Sequence, residues 1–542
     1  MRTLKNLKKI LFDRKIGFVF LPLSGEVVPF NEPKSFLEKK LIPPKSFTLL
    51  DFAEFTQSAI KDKRIKGIYI QLVDFKTTLA DLFELRKQFE KWRKNGKKVW
   101  IHAPEYSLQN YYLASVADKI ILSPGGILAT IGLSLNVKYY TKLFKKHGIK
   151  IEVVHVSRYK SALNRYSFEE MPEEEKEMLT WLGKDVFNTM IETIAHSKNK
   201  NKEEVLALID SSPLTDKEAL EQKWVDMILN TEEVASKIKE LYGKKTPITS
   251  YILSKKKAKI LKKSKRRIAI IPAIGGIIDG ENKTYPIKIP LFGERQIGDL
   301  TIGDIVRRIR KNKKKYKAVI VFDDSPGGSA TASESIYNEL KQLNKEVPVY
   351  FYFHSIAGSG GYYIAMGGTK IISTPLTITG SIGVIAGKPV LEKFYEEQGI
   401  QPYEFNFGKN ASLMSTANPW NDEQRKLIQK TIFHTYNLFL ERVSNNRKIP
   451  VEKIKPVAAG KIWTGKQALE KGLVDELDSF TGAITKIAQD NKLKHYPSVE
   501  VIRHKKQLSA PLGESKEKAM INFVNKVLSK TLMLIPYEIR LN

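Results

Sequence analysis

The 542-residue chain contains no cysteine, and this absence removes several kinds of chemistry. Without a thiol the protein forms no disulfide, binds no zinc ion through thiolates and uses no cysteine nucleophile. Long hydrophobic runs are absent as well, since no stretch reaches the roughly 18 apolar residues that a membrane-spanning helix requires. We therefore expect no transmembrane helix, and any nucleophile or base has to come from other residue types.

The N-terminal segment lacks the apolar core of a secretion signal. Met1–Lys15 is basic, and charged residues interrupt its apolar stretches. We therefore expect neither a cleavable signal peptide nor an integral membrane anchor there. Leu4, Leu7, Ile10 and Leu11 fall on one helical face, so the segment is predicted to be a basic amphipathic helix.

Acidic residues are scarce relative to basic ones. The chain has 90 lysine and arginine residues against 59 aspartate and glutamate residues, a formal net charge of +31. Basic residues concentrate in Met1–Lys15, Lys255–Arg267, Arg307–Lys317 and Lys492–Lys506. Such a charge attracts anionic lipid or nucleic acid, and it also serves simply to keep a surface soluble. No nucleic-acid-binding motif is recognisable, so we predict no nucleic-acid partner and keep an anionic membrane surface as a candidate.

A second amphipathic segment lies near the C-terminus, at Met520–Pro536. Like Met1–Lys15, it is suited to lie on a membrane surface. Packing on the protein's own core or on another subunit would use the same apolar face, and the sequence does not choose between these possibilities.

The chain contains one unit twice. Residues 108–160 align without a gap on residues 359–411, an offset of 251, and blocks before and after them keep offsets of 250 and 249. Three separated blocks at nearly one offset predict two domains of the same fold. The predicted division is a basic N-terminal segment (1–15), a first domain (16–243), a basic linker (244–267), a second domain (268–491) and a basic, partly amphipathic tail (492–542).

Strand-like and helix-like segments alternate in both halves. Continuous apolar, β-branched runs such as Lys317–Phe322 are typical of buried parallel strands. Alternation of such strands with helices predicts an α/β fold with crossover helices. In the second half, strands are predicted at Ile268–Pro272, Lys317–Phe322, Val347–Phe353 and Lys370–Ser373, and helices at Gly303–Lys314, at Thr331–Gln342 and from Ser359 onward.

Each half lacks the reactive residue that the other half keeps. Lys160 aligns on Ala411, and Ser359 aligns on Leu108. A serine hydroxyl needs a base, and no histidine forms a convincing motif with Ser359, the nearest in sequence being His354. A neutral lysine can take that role. The pattern predicts one composite site, with Ser359 as nucleophile and Lys160 as general base.

The lysine can act as a base only if its pKa is lowered. A free lysine has a pKa of about 10.4. Burial in a low-dielectric site disfavours the charged form and lowers that value. We therefore expect Lys160 to be buried at the interface between the domains, with a depressed pKa.

An acyl-transfer site also needs hydrogen-bond donors for the oxyanion. Gly327 and Gly328 follow a buried strand, where the absence of side chains lets backbone N–H groups approach a carbonyl oxygen. The N–H of Gly360, at the start of the nucleophile helix, is the second predicted donor. Ser381, in the loop Thr379–Gly383, is predicted to hydrogen-bond the lysine amine and orient it. A tight turn, close helix packing or a simple turn serine would each explain one of these features alone.

These motifs resemble the signal peptide peptidase A (protease IV) family in its long, two-domain form. The resemblance covers about Ile16 to Asn491. The motifs that carry it are Arg158–Ala162, Asp324–Ser329, Ala357–Tyr363 and Thr379–Gly383.

The resemblance implies tandem Clp-protease/crotonase-like α/β domains with repeated β-β-α units. It also implies a serine endopeptidase without a cofactor, with Ser359 as nucleophile, Lys160 as general base and Ser381 supporting the lysine. Its peptide substrates would be cleaved signal peptides or other short apolar peptides. The family further implies a dome-like homo-oligomer, a tetramer, at the cytoplasmic membrane. Long-form relatives commonly carry an apolar N-terminal anchor that Met1–Lys15 does not match, so the side of the membrane is not predicted.

Two other functions remain open from the sequence. A crotonase-type acyl-CoA enzyme would use the oxyanion glycines with acidic catalytic residues and would not need Ser359. An inactive, basic scaffold at the membrane would need none of these residues, and the intact set of serine, lysine and glycines argues against it.

Overall fold

A computed structural model describes residues 15–33, 45, 47–258, 260–289, 293–502, 507–508 and 532–534. Of these, 285–289, 293, 507–508 and 532–534 are described by their backbone alone. The predicted amphipathic segments Met1–Lys15 and Met520–Pro536 therefore lie outside the described residues, except for Lys15 and Leu532–Leu534. Within the described part, no helix combines the length and the hydropathy that crossing a membrane requires.

The first domain is built on a seven-stranded sheet. Its strands are β1 (Gly17–Glu26), β2 (Ile65–Lys76), β3 (Lys98–Ser107), β4 (Lys119–Ala129), β6 (Leu214–Thr215), β7 (Met227–Ile228) and β8 (Ile248–Ser250). Their order is β6-β4-β3-β2-β1-β8, and β7 pairs with β4. Strands β1 to β4 run parallel, as their continuous apolar sequences predict for strands covered on both faces.

Helices alternate with these strands along the first domain. They are α1 (Leu49–Ala59), α2 (Leu79–Lys94), α3 (Leu108–Ala114), α4 (Thr141–Lys146), α5 (Asn164–Ser167), α6 (Glu173–Lys198), α7 (Lys202–Ser211), α8 (Asp216–Glu221), α9 (Thr231–Tyr242) and α10 (Tyr251–Lys257). Hydroxyl caps begin several of them: the side chain of Thr78 accepts from the N–H of Asp81 at the start of α2. The apolar faces of α1 and α2 pack on the sheet through Phe52 and Phe89, both fully buried.

The second domain repeats this plan. Its strands are β9 (Lys263–Ile274), β13 (Tyr316–Ser325), β15 (Val349–Gly358), β16 (Lys370–Ser373), β17 (Ile378–Gly380), β19 (Ile462–Thr464), β20 (Glu476–Leu477) and β21 (Tyr496–Val501). The order is β19-β17-β15-β13-β9-β21, with β16 between β15 and β20. At the offset of 251, β4 of the first domain corresponds to β16 and β17 together. The two sheets therefore match strand for strand, which confirms the tandem α/β fold.

The helices of the second domain follow the same alternation. They are α11 (Asp299–Lys311), α12 (Ala330–Asn344), α13 (Gly360–Ala365), α14 (Glu392–Glu397), α15 (Asp422–Arg447), α16 (Val451–Ile454), α17 (Gly465–Glu470) and α18 (Phe480–Asp490), with a 3₁₀ turn at Lys313–Lys315. The predicted strands and helices of this half all appear, with ends displaced by a few residues.

A third sheet, here called the bridging sheet, joins the two domains. Its strands are β5 (Lys150–His155), β10 (Gly276–Ile278), β11 (Lys283–Ile289), β12 (Gly293–Gly298), β14 (Gly327–Ser329), β18 (Ile385–Val390), β22 (Gln507–Leu508) and β23 (Leu532–Leu534). Their order is β22-β11-β12-β10-β14-β23-β18-β5. Strand β5 belongs to the first domain and pairs antiparallel with β18 of the second along its whole length. This pairing fixes the chain just before Lys160 against the second domain.

Both sheets extend beyond the predicted domain ends. The segment 244–267, expected as a linker, contains β8, α10 and the first residues of β9. Strand β21 lies in the predicted tail and pairs parallel with β9, as β8 does with β1. These edge strands are short, and their partners are distant in sequence, so local pattern alone does not reveal them.

Candidate active site

Ser359 lies in the sharp turn between β15 and α13. Its backbone has φ 55° and ψ −114°, a conformation that L-residues rarely adopt. Such strain costs on the order of 1–3 kcal/mol and persists only where the surroundings impose it. The N–H of Ser359 donates to the carbonyl of Gly380 (2.8 Å), and its own carbonyl accepts from the N–H of Tyr363 (2.8 Å). The turn therefore holds the hydroxyl at the end of the strand in one position.

The lysine reaches the serine from the other domain. After β5 the chain turns, and the N–H of Lys160 donates to the carbonyl of Ser157 (3.2 Å). The hydroxyl of Ser157 in turn donates to the carbonyl of Ala459 in the second domain. The side chain then runs past Gly383, where an added Cβ would lie 3.3 Å from its Cδ atom. Lys160 and Ser359 thus meet within one chain.

Three polar atoms surround the lysine amine. Nζ of Lys160 lies 2.6 Å from Oγ of Ser359, 2.9 Å from Oγ of Ser381 and 3.0 Å from the carbonyl oxygen of Ser381. A neutral amine has two N–H donors and one lone pair. Both donors can therefore go to Ser381 while the lone pair faces the hydroxyl of Ser359, which is the arrangement a general base requires.

The site is closed to solvent. Lys160, Ser359 and Ser381 each have 0% exposed surface. Burial lowers the pKa of Lys160 well below its ordinary value. A carboxylate beside the amine would favour its charged form and so raise the pKa. Among the described residues, Lys160 makes no ion pair. Burial therefore favours the neutral form of the amine, which is the form that accepts a proton.

The three predicted oxyanion glycines converge beside the serine, but their roles differ. An added Cβ on Gly360 would lie 3.1 Å from both the Cα of Gly327 and the backbone nitrogen of Gly328. On Gly328 it would lie 2.0 Å from the carbonyl oxygen of Ile277, so no side chain fits there. The N–H of Gly327 donates to Oγ of Ser325 (3.2 Å), which corrects its prediction as an oxyanion donor. Gly328 and Gly360 remain the candidate donors.

His354 is engaged elsewhere. Its Nε2 atom lies 3.3 Å from a carboxylate oxygen of Asp81 on α2, and both side chains are buried. Burial works to lower the pKa of His354, but the carboxylates of Asp81 and Asp324 outweigh it, so the pKa is raised. A histidine paired in this way is not poised as the base for Ser359, which leaves the lysine.

Sequence reasoning missed the loop that clamps the lysine segment. Ala459 and Gly460 both have positive φ (56° and 81°). A Cβ on Gly460 would lie 2.6 Å from the backbone nitrogen of Lys160. The N–H of Gly460 donates to the carbonyl of Ile382 (2.8 Å), so this loop ties Lys160 to the segment that carries Ser381. The glycine was visible in the sequence, but nothing local linked it to Lys160, 300 residues away.

Further contacts hold the domains together around the site. The rings of Trp181 and Trp463 stack with centroids 5.0 Å apart, and Nε1 of Trp181 donates to the carbonyl of Ile462 (3.0 Å). Buried Glu152 on β5 accepts from Arg425 (3.0 Å) on α15. These contacts keep the lysine-bearing segment in register with the serine.

Comparison with known proteins finds matches in both domains of the chain. The family model described as Peptidase family S49 matches residues 91–245 and 341–494, one match in each domain. The chain is 31% identical over 449 residues to "Serine protease SPPA, chloroplastic" of Arabidopsis thaliana, covering 81% of this chain and 65% of that relative. It therefore spans just under two thirds of the plant protein's length.

Two further matches are a bacterial relative and a solved structure. The chain is 30% identical over 504 residues to "Protease 4" of Salmonella typhi, covering 89% of this chain and 79% of that protein. A solved structure of a ClpP1 mutant from Listeria monocytogenes matches 40% of this chain and 94% of its own, with 13% identity and a TM-score of 0.25.

Proposed function

Because this chain belongs to peptidase family S49, a family of serine peptidases, we propose that it is an endopeptidase in which Ser359 attacks the peptide bond and Lys160 is the general base. The observation that carries the proposal is the 2.6 Å separation of Nζ of Lys160 from Oγ of Ser359, with the lysine fully buried. The family supports the peptidase reaction over acyl-CoA chemistry, which would not need Ser359.

The reaction follows from these positions. Neutral Lys160 takes the hydroxyl proton of Ser359 while Oγ bonds to the carbonyl carbon of the substrate. The N–H groups of Gly328 and Gly360 stabilise the oxyanion that forms. The resulting ammonium of Lys160 then gives its proton to the amine that leaves as the C–N bond breaks, and an acyl-enzyme remains. Lys160 next takes a proton from water, whose oxygen attacks the ester, and returns it to Oγ of Ser359.

Ser381 is proposed to orient the base. Its hydroxyl and its carbonyl oxygen accept from the lysine amine, so both N–H donors are directed away from Ser359. Ser381 has a positive φ of 50°, and both of its oxygen atoms lie within 3.0 Å of the amine. Its role is positioning, because it acts on the substrate only through Lys160.

The proposed substrates are cleaved signal peptides or other short apolar peptides, taken at a membrane surface. The resemblance in the sequence motifs supports this choice, and the net charge of +31 favours an anionic surface. Co-sedimentation with vesicles of neutral lipid, with and without about one third anionic lipid, tests the surface. Binding should need the anionic lipid and fall with added salt, since the attraction is screened. Equal amounts of protein sedimenting with both kinds of vesicle would contradict binding to an anionic surface.

We also propose that copies of the chain assemble head to tail. At the offset of 251, residues 401–406 correspond to β5, and residues 134–139 correspond to β18. Within the chain β5 and β18 pair, whereas neither corresponding segment forms a strand. In the first of them Tyr403 and Phe405 are 79% and 85% exposed. Residues 134–139 of one copy would pair with residues 401–406 of the next, which repeats the β5–β18 pairing between chains.

The absence of cysteine makes this assembly directly testable. The register of β5 on β18 places Gly387 opposite Val153, so Asn136 of one chain should lie opposite Glu404 of the next. A chain with Asn136→Cys and Glu404→Cys should form disulfide-linked multimers under mild oxidation. The out-of-register pair Asn136→Cys with Lys409→Cys is the control. Only monomers from the first variant would exclude the pairing.

The catalytic assignment is tested by covalent labelling. A fluorophosphonate should label the wild-type chain and should fail to label Ser359→Ala, while Ser236→Ala, an exposed serine on α9, stays labelled. Hydrolysis of an apolar peptide should be lost in Lys160→Ala and kept in Lys217→Ala, an exposed lysine on α8. Labelling that survives in Ser359→Ala would overturn the nucleophile. Unchanged hydrolysis in Lys160→Ala would exclude Lys160 as the base but leave Ser359 as the nucleophile.

A further inference from the structure

The strand that leads into the nucleophile turn contains a bulge. Strands β13 and β15 pair in parallel up to Asp323 of β13, and they pair again at Ser325. Between these two positions β13 has one residue, Asp324, whereas β15 has three, His354–Ile356. A bulge bends its strand, and beside an active site it changes the direction of a side chain. This bulge ends three residues before Ser359.

The bulge transfers β15 from one neighbouring strand to another. Before it, β15 pairs with β16 as far as Phe353, and after it Ile356 pairs with Ile378 at the start of β17. Strand β17 ends one residue before Ser381, which is proposed to orient Lys160. The position of Ile356 on β17 therefore aligns the nucleophile turn with the residue that holds the base.

The side chain of Asp324 holds the bulge from the facing strand. A bulged residue lies outside the regular ladder, so its N–H needs an acceptor from elsewhere. The N–H of Ile356 donates to Oδ1 of Asp324 (3.1 Å). Asp324 is itself fixed, because its backbone carbonyl accepts from the N–H of Gly275 (3.0 Å). One side-chain oxygen thus determines where β15 leaves the bulge.

The other end of the bulge is held by different contacts. The carbonyl oxygen of His354 accepts from the hydroxyl of Thr377 (2.6 Å). Its imidazole reaches the first domain, where Nε2 lies 3.3 Å from Oδ1 of Asp81. Asp81 in turn accepts from the hydroxyl of Thr78 (2.7 Å). The start of the bulge is therefore anchored independently of Asp324, whose hydrogen bond acts at the end nearer the serine.

We propose that Asp324 is a positioning residue for the reaction. By accepting from Ile356 it fixes the register of β15 on β17, and this register sets the distance between Ser359 and Lys160. The proposal rests on the peptidase function proposed above. Asp324 acts through the strand and takes no part in the chemical steps.

Replacement of the acceptor tests the proposal through kcat and KM for an apolar peptide. Asp324→Ala removes the oxygen that holds Ile356, so kcat should fall about 100-fold, the loss expected for a displacement of about 1 Å. KM should keep its wild-type value, because Asp324 acts on the serine and not on the substrate. Asp324→Asn keeps an acceptor oxygen and should restore most of the wild-type kcat. Asp304→Ala, at an exposed aspartate on α11, is the control. Equal kcat in the Asp324→Ala and Asp324→Asn chains, or a change confined to KM, would overturn the proposal.

A second substitution covers the case in which the Asp324→Ala chain does not fold. Asp324→Ser keeps a polar side chain that is shorter by one bond, so its oxygen should not reach the N–H of Ile356. It should therefore lose kcat as expected for Asp324→Ala. A kcat for Asp324→Ser equal to that of Asp324→Asn would overturn the proposal.

Amide hydrogen exchange separates this proposal from the one on which it rests. Exchange at Ile356, followed by mass spectrometry in the Ser359→Ala chain, should be faster with Asp324→Ala than with Asp324→Asn. Equal exchange in the two chains would overturn the role of Asp324 and leave the peptidase standing. Faster exchange with Asp324→Ala, in a protein whose wild type hydrolyses no peptide, would overturn the peptidase and keep the hold of Asp324 on the bulge.

Discussion

At the scale of single residues, the site depends on a buried lysine whose pKa the fold lowers. Lys160 is fully buried and faces a hydroxyl, a second hydroxyl and a carbonyl rather than a carboxylate. Burial lowers its pKa, so between the folded and the unfolded pKa the unfolded chain binds a proton that the folded chain does not. Stability linked to this group is therefore lost as pH falls below the unfolded pKa of about 10.4, by about 1.4 kcal/mol for each unit of depression.

Replacement of this lysine by methionine should stabilise the protein. Lys160→Met keeps most of the side-chain volume and removes the group that must give up its proton on folding. The gain should be on the order of 1–3 kcal/mol at pH 7 and should shrink toward pH 10, where the unfolded chain begins to lose the proton. Calorimetric unfolding at both pH values measures it, with Lys217→Met as the exposed control. A change in stability that is the same at pH 7 and pH 10 would contradict a depressed pKa.

The residues proposed to react could be identified from the sequence because the two halves of the repeat differ at those positions. Lys160 and Ser359 stand out once each half is compared with the other, and a turn of glycines marks the loop at Gly327. The use of the Gly327 N–H by Ser325 was not predictable, since it depends on one side-chain rotamer in a turn. Nor was the contact of Gly460 with Lys160, because it joins two loops from different domains.

At the scale of secondary structure, the bridging sheet and the loop behind it place the lysine. Strand β5 pairs with β18 across the domain boundary, and Gly460 closes on the backbone of Lys160. Parallel strands such as β13 and β15 were predicted from their apolar runs. The bridging sheet was not, because its strands are short, several contain glycine, and their partners lie far apart in sequence or in the other domain.

The glycine behind the lysine should be required for activity. Gly460→Ala would place a methyl group 2.6 Å from the backbone nitrogen of Lys160 and push the amine away from Ser359. Since a displacement of about 1 Å can reduce a rate about 100-fold, kcat/KM for an apolar peptide should fall by roughly that factor. Gly96→Ala is the matched control, with a similar positive φ (73° against 81°) but no atom within 4 Å of the added carbon. Equal losses of activity in the two variants would show that backbone strain alone is responsible.

At the scale of the whole molecule, two domains of the same fold together contribute the residues of one proposed site. In the proposed mechanism the first domain supplies the base, and the second supplies the nucleophile and the candidate oxyanion donors. The equivalent position in the first domain holds Leu108 where the second has its serine, so the repeat has no second reactive site. The proposed active site therefore includes the interface between the domains.

A mixing experiment tests whether each site forms within one chain. Lys160→Ala and Ser359→Ala chains are co-expressed with different tags and purified through both, so that any oligomer contains each. Because the lysine and the serine meet inside one chain, the mixture should stay inactive. Wild type co-expressed with the Lys160→Ala, Ser359→Ala double variant is the positive control. Recovered peptide hydrolysis in the mixture would mean that the two residues meet across a subunit boundary.

The central claim is that Lys160 is the base for Ser359, and the pH dependence of serine labelling tests it most directly. The second-order rate of fluorophosphonate reaction is measured from pH 5 to pH 10 on the wild-type chain and on Lys160→Met. In the wild type the rate should rise with pH to a plateau, through an apparent pKa well below that of a free lysine. In Lys160→Met it should be about 10²–10⁴-fold lower and should lack that transition. A wild-type rate that rises only near pH 10, or the same profile in both chains, would contradict the account.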